Sequence, residues 1–373
     1  MTPVSAMTAR RIASALTASP PRVPVILGAC GSGRTALLER LHAELGAGAS
    51  QYVDIERSAT TPERFLQAIT ERSPFKWNGA TPGAGPRAAF EATLAFLTGA
   101  RAQDGGPATF LLDEILELRT FESFPGLRLA LRETIAALAA STNRFVLSTR
   151  YVARARRLLR DASTQFLLVQ VTPLTAEETR DALRVAMPRA SWPRMNGADL
   201  EELGRVVHAL ADGRPAYVRT IVEAMRAVEG PESQDPIGSL TALLAPDGRL
   251  SSRCGYCYEL RLHRARGYGA LKAILEILAR EEPLTLTEIS QRLGRTPGST
   301  KDYLSWLEDV DLVSAAQKRY SFSDPMLRLW VRIHCRAVPA TAEEIASEVQ
   351  HYALARLPHV ERAAGPQALA SGR

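Results

Sequence analysis

Residues 28–35 read Gly28-Ala29-Cys30-Gly31-Ser32-Gly33-Arg34-Thr35. A phosphate-binding loop asks for Gly, four free residues, Gly, Lys, then Ser or Thr, and this octapeptide departs only at the lysine position, which holds Arg34. Ahead of it, Val23-Pro24-Val25-Ile26-Leu27 is an apolar run suited to a buried parallel strand. Behind it, Ala36 to Leu41 is apolar at helical spacing. A strand, a glycine turn and a helix N-terminus aim successive backbone N–H groups at an anion, and glycines let the backbone approach it without a Cβ in the way. The segment predicts a three-layer α/β domain with a parallel sheet. Gly28, Gly31, Ser32, Gly33, Arg34, Thr35 and Ala36 are its candidate phosphate cradle. Arginine is a planar fork where lysine is a point charge, so binding survives the exchange more readily than fast phosphoryl chemistry does.

Further strands carry the other candidate residues. Ala108 to Leu112 is apolar and ends in Asp113-Glu114. Downstream of a phosphate loop, Asp113 is placed to hold Mg²⁺ with the Thr35 hydroxyl, and Glu114 to orient an attacking water. Arg144 to Leu147 is another apolar run, followed by Ser148-Thr149-Arg150. Ligands gather at the carboxyl ends of parallel strands, so Arg150 is a candidate sensor of the terminal phosphate. Tyr52 to Ile55 and Gln165 to Val171 read as two more strands, with helices over Pro62–Thr70, Arg87–Leu97 and Arg128–Ala140. Ser73 to Pro86, rich in Gly and Pro, reads as an excursion. Arg154, Arg156, Arg157 and Arg160 mark a basic helix, which suits a solvated face, a neighbouring subunit's nucleotide or nucleic acid.

With 373 residues there is room for two or three domains. No apolar run approaches a membrane span, and Met1 to Arg22 lacks the apolar core of a secretory signal, so a cytoplasmic protein without a membrane partner is expected. A net charge of +6 permits a nucleic-acid partner without demanding one. Cys254-Gly-Tyr-Cys257 is a lone pair, and incidental thiols describe it better than zinc, which needs a second pair.

From Thr172 helical patterns replace strands. Thr175 and Glu178 form a capping box, and Gly213-Arg214-Pro215 is a turn into a helix. Residues 268–323 have the cadence of a winged helix-turn-helix: helices from Tyr268, Thr285 and Gly298, then wing strands at Leu312-Val313 and Tyr320 to Phe322. Arg295, Thr296, Ser299, Thr300 and Lys301, at the start of the third helix, are expected to face outward and to suit contact with DNA. The boundaries that follow are an N-terminal extension (1–20), a nucleotide-binding domain (21–172), a helical lid-like domain (173–250), a winged helix (251–335) and a helical tail (336–373).

Taken in order, these motifs resemble the archaeal-type P-loop ATPases of the STAND group within the AAA+ superfamily, over about residues 20–335. The loop matches at Gly28 to Thr35, the acidic strand end at Leu111 to Glu114, and the sensor strand at Phe145 to Arg150. The Gly-x-Pro turn matches at Gly213 to Pro215, and the C-terminal module at Tyr320, Asp324-Pro325 and Leu327 to Trp330. The resemblance implies a switch that binds ATP or ADP with Mg²⁺, hydrolyses ATP slowly and moves its winged helix, with Pro215 packed by the nucleotide. Arg34 departs from the family's lysine, and its Gly-Arg-Glu motif has no good match in Met1 to Arg22. Two rivals fit the same residues: a DNA-binding regulator whose nucleotide domain is degenerate and non-hydrolysing, and a protein-interaction scaffold in a defence or toxin system. A homo-oligomer or a protein partner is compatible with each.

Overall fold

The computed structural model describes residues 6–18, 21–79, 83–160, 164–186, 197–227, 235–263 and 267–357. Of the expected regions, parts of the N-terminal extension, residues 80–82 of the excursion and residues 358–373 of the tail lie outside them.

Helix α1 (Ala6–Thr17) is followed by β1 (Val23–Leu27), α2 (Arg34–Leu45), β2 (Ser50–Asp54), α3 (Ile55–Ser58), α4 (Pro62–Glu71) and α5 (Pro86–Gly99). Then come β3 (Thr109–Asp113), a 3₁₀ helix (Ile115–Ser123), α6 (Ala130–Ala140), β4 (Arg144–Thr149), α7 (Val152–Leu158) and β5 (Phe166–Gln170). The five strands form a parallel sheet in the order β2-β3-β4-β1-β5. Val25 pairs with Leu147 on one side and Leu168 on the other, which puts β1 next to the middle of the sheet.

Both faces of the sheet are covered, as continuous apolar strands require. Alternate residues point to opposite faces. Val25, Leu27, Leu112 and Leu147 join one core. Ile26, Leu111, Val146 and Val169 join another, completed by Leu37, Leu38 and Leu41 of α2 and by Ile12 of α1. The N-terminal extension therefore contributes a packed helix. Burying Ile12 alone stabilises by roughly 1.5–3 kcal/mol. Ile55, expected at a strand end, instead opens α3, because the Asp54 side chain accepts from the Arg57 N–H and caps a helix there.

Beyond the sheet run α8 (Ala176–Ala186), α9 (Gly197–Ala211), α10 (Pro215–Ala227), α11 (Pro236–Leu244) and α12 (Arg249–His263). Thr175 and Glu178 make the expected reciprocal cap. The winged helix comprises α13 (Tyr268–Arg280), β6 (Leu284–Thr285), α14 (Leu286–Leu293), α15 (Pro297–Asp309), β7 (Val313–Ala316) and β8 (Arg319–Phe322). Its wing is an antiparallel hairpin whose turn residues, Gln317 and Lys318, both have positive φ, the geometry that suits strand twist in a two-residue turn. Helices α16 (Pro325–His334) and α17 (Ala342–Arg356) follow, and α17 packs back on α9, α11 and α16.

Candidate functional site

The carboxyl ends of β1, β3 and β4 lie side by side, so the glycine loop, Asp113-Glu114 and Ser148 to Arg150 share one edge of the sheet. Gly31 (φ 80°) and Gly33 (φ 89°) adopt conformations that a side chain resists. A Cβ on Gly28 would come within 2.5 Å of Ser32 Oγ. The first intrahelical bond of α2 runs from the Leu37 N–H to Gly33 O, which leaves the amides of Arg34, Thr35 and Ala36 without intrahelical acceptors at the mouth of a cleft of about 480 Å³. Pro215, at the start of α10, flanks this loop: a Cβ on Gly33 would lie 3.7 Å from its ring.

Arg34 does not extend into the cleft. One guanidinium nitrogen donates to Gly28 O, to Ala29 O at 2.7 Å and to Ser32 Oγ at 3.2 Å; the other meets Glu114 Oε1 at 2.5 Å. The charge is spent inside the loop. Arg150 is likewise engaged. Its Nε lies 3.2 Å from Glu114 Oε1, its backbone N–H donates to Glu114 Oε2 at 3.0 Å, and its far nitrogen pairs with Glu56. Burial pushes the Glu114 carboxyl up, but the Arg34 and Arg150 guanidiniums and the Arg150 N–H outweigh it and hold the group at about 2. Glu114 itself has φ 56°, left-handed backbone that costs a non-glycine residue roughly 1–3 kcal/mol and is found where a site demands it.

Asp113 is held differently. Its carboxylate accepts from Thr35 Oγ1 at 2.8 Å, from the Tyr52 hydroxyl at 3.0 Å and from Ser148 Oγ. Burial and Asp113 raise the Tyr52 hydroxyl pKa, which keeps it a donor. A threonine hydroxyl beside a carboxylate is an oxygen pair of the kind a hard divalent cation takes, and both residues line the cleft, so the donor set fits Mg²⁺. Among the described residues no cluster of His, Cys, Asp and Glu forms an all-protein metal cage.

A glycine loop after β1, an acid pair after β3 and a basic residue after β4 thus stand on a parallel sheet ordered β2-β3-β4-β1-β5. A Walker-type ATPase of Pyrococcus abyssi superposes with a TM-score of 0.61 at 18% identity, over 88% of this chain and 95% of that one. The fold is that of the Walker-type ATPases. The Aeropyrum pernix ORC1 protein, solved in complex with DNA, covers 94% of each chain at 18% identity with a TM-score of 0.46. The Cdc6p protein of Pyrobaculum aerophilum gives 0.40 at 13% identity, over 94% of this chain and 93% of that one. Both superpose too loosely to bear on the site. A family described as winged helix-turn-helix DNA-binding matches residues 270–313. No curated protein matches the chain.

In this ATPase fold the loop is tied to the rest of the chain through the Gly-x-Pro turn. The Ala216 N–H donates to Gly31 O at 3.1 Å. Arg214 donates to Cys30 O at 2.9 Å, to Ser323 O at 2.7 Å and to Asp324 Oδ2 at 3.0 Å, while the Tyr217 hydroxyl reaches the same Asp324 oxygen at 2.7 Å. Asp324 also caps α16 through Met326 N–H at 3.0 Å. One buried guanidinium thus joins the phosphate loop to the end of the wing. Burial lowers the Arg214 pKa, but Asp324, Tyr217, Asp212 and Cys30 together outweigh it and the net shift is upward.

Sequence reasoning missed α12, which crosses the cleft and places Arg253, Tyr256 and Cys257 on its wall. Tyr256 donates to Glu56 at 3.2 Å, the same carboxylate that holds Arg150. No local pattern announces this, because the contact is made only when a helix some 200 residues downstream folds over the loop.

Of the residues expected on the outer face of α15, Arg295, Thr296 and Lys301 are exposed and Ser299 is partly so. Thr300 does not face outward. It is fully buried, its hydroxyl donating to Thr296 O at 3.0 Å, because it shares a helical stripe with Leu304 and Leu307. The other end of α15 docks on the α/β domain. Arg157 pairs with Asp309, the Ala153 N–H donates to Asp311 Oδ1 at 3.4 Å, and Arg119 stacks on Trp306 at 5.4 Å. The basic helix is thus partly an internal docking face, although Arg156, Arg157 and Arg160 remain exposed.

Proposed function

We propose that the chain is a nucleotide-dependent switch of the STAND and AAA+ kind, in which ATP or ADP with Mg²⁺ occupies the cleft and its state sets how the winged helix docks. The observation that carries this reading is Arg214, bonded at once to Cys30 O of the loop and to Ser323 and Asp324 beyond the wing. A loop displacement of about an ångström would carry those bonds out of hydrogen-bond range. Thr35 and Asp113 would hold Mg²⁺, which would neutralise charge on the terminal phosphates. The orphan amides of α2 receive the phosphates, and Pro215 packs beside them. A terminal phosphate competes with Glu56 and Glu114 for Arg150, and releasing Glu56 is felt at Tyr256 of α12. Glu114 orients water poorly while two guanidiniums hold its Oε1 and the Arg150 N–H its Oε2, so hydrolysis is slow. Titration calorimetry of wild type and Asp113→Ala tests the reading. Binding of ATP with Mg²⁺ by the wild type and its loss in the variant are expected; no heat from the wild type at millimolar nucleotide rejects it.

A second reading has its own support. Arg34 turned onto the loop carbonyls, with Arg295 exposed just ahead of α15 and Lys301 exposed on it, suits a DNA-binding regulator whose nucleotide domain does not turn over. Steady-state phosphate release with and without duplex DNA separates the two. Release that rises with DNA favours the switch; DNA binding with no release under either condition favours the regulator.

A further inference from the structure

The loop cysteine and the lone cysteine pair have no part in the proposal above, yet the fold brings two of them together. Cys30 Sγ and Cys257 Sγ lie 3.0 Å apart, although 227 positions separate them in the chain. Both thiols are free and both line the cleft; Cys30 is half-buried, so a small oxidant reaches it from the open side. Arg150, Arg253 and Arg261 surround the pair with positive charge. Cys254, one helical turn before Cys257, is turned elsewhere: it is buried and is not part of the cleft wall.

We propose that Cys30 and Cys257 are a reversible oxidation site, at which a hydroperoxide converts the two thiols into a disulfide that fastens the phosphate loop to α12. The Cys257 hydrogen bond lowers the Cys30 pKa well below its ordinary value; burial opposes this and the nearby arginines assist it. Cys257 is shifted upward by the same hydrogen bond and by burial. The pair thus divides into an attacking thiolate and a protonated resolving thiol.

The chemistry balances with the peroxide as the sole oxidant. Cys30 thiolate attacks one peroxide oxygen, the O–O bond breaks, and the departing hydroxide takes a proton to leave as water. Cys30 is then a sulfenic acid. Cys257 gives up its proton and attacks the Cys30 sulfur; the S–O bond breaks and the hydroxyl leaves with that proton as a second water. Two thiols lose two electrons, the peroxide gains them, and a small thiol reverses the link by exchange. The inference does not depend on nucleotide binding.

The test uses the full chain, which has four cysteines. Native protein is exposed to dilute hydrogen peroxide, alkylated in denaturant and mapped as peptides without reductant. Free thiols should fall from four to two, with Cys30 linked to Cys257 within one chain and the thiols restored by dithiothreitol. Cys254→Ser should still form the link. Cys257→Ser should leave a Cys30 sulfenic acid that dimedone traps. A folded wild type, by circular dichroism, that keeps all its thiols, links Cys254 to Cys257 or links only between chains overturns the proposal. If Cys257→Ser does not fold, the wild-type map and the Cys254→Ser variant decide the matter.

Discussion

Arg214 and Asp324 meet at 3.0 Å, both buried, across the junction between the phosphate loop and the winged helix. Removing one partner of a buried pair strands the other charge, and such losses run to roughly 3–5 kcal/mol. Arg214→Ala should therefore lower the free energy of unfolding, read from denaturant titration, by an amount of that order. It should also speed amide exchange in α16, whose N-cap is Asp324. Amide exchange by mass spectrometry reads the second effect; protection of α16 equal to that of the wild type would contradict the coupling assigned to this residue.

Arg34→Lys removes the fork that spans Gly28 O, Ala29 O and Glu114. Lysine, a compact point charge on a flexible stem, is free to turn toward a phosphate, and Glu114 Oε1 sheds one of its two guanidinium partners. Phosphate release should rise, on the order of tenfold, given how strongly such catalysis depends on charge placement. The measurement is steady-state turnover at saturating ATP. Loss of nucleotide binding in this variant would mean that the arginine itself is the phosphate ligand.

Asp311 gives a pH prediction. Burial raises its carboxyl from the ordinary 3.8 to about 6, with Arg261 and the Ala153 and Val152 N–H groups pulling the other way. The folded state thus holds the proton more tightly than the unfolded chain. The stabilisation is complete below pH 3.8 and is lost as pH rises through about 6. At neutral pH the buried charge opposes docking of α15 on the α/β domain. Asp311→Asn keeps an acceptor for the Ala153 N–H and suits the positive φ of this position. It should stabilise the protein at pH 7 by roughly 1–3 kcal/mol and flatten this part of the pH profile. Denaturation at several pH values checks both.

The exposed basic residues of α15 predict a salt-dependent contact with duplex DNA. Lys301→Ala should weaken binding across all sequences and reduce the slope of log affinity against log salt by about one phosphate contact. Thr300→Ala, at a buried position, should leave that slope unchanged. Mobility shifts over a range of salt concentrations distinguish the two variants. Equal effects would place the interface elsewhere.

Much of this fold is written locally. The strands announce themselves as apolar runs because both sheet faces are covered, and the caps at Thr175 and Thr285 follow from a threonine with Glu three residues on. The burial of Thr300 was also legible, since it stands four and seven residues before Leu304 and Leu307 on one stripe. Other features are legible only in three dimensions. The motif fixes where Arg34 sits but not which way it turns, because carbonyls beneath the loop compete with any ligand above it. Glu56 and Tyr256 carry no signature, and Cys257 shows only as half of a lone cysteine pair; all three enter the cleft because α3 and α12 pack around it. The N-terminal helix escaped notice because one isoleucine is a faint periodicity until a sheet lies against it.

Helix α17 lies against α9 and α11 on one side and α16 on the other. Tyr352 bonds to Leu210 O at 2.9 Å and Arg356 to Asp212 at 3.2 Å, while Glu348 receives Arg332 at 2.7 Å and Arg336 at 2.6 Å. The same rod therefore grips the helical segment and the stretch beyond the wing. Neither can swing clear by itself without tearing that grip, so any large excursion from the sheet carries both halves together, as one plate on a hinge rather than as two independent flaps.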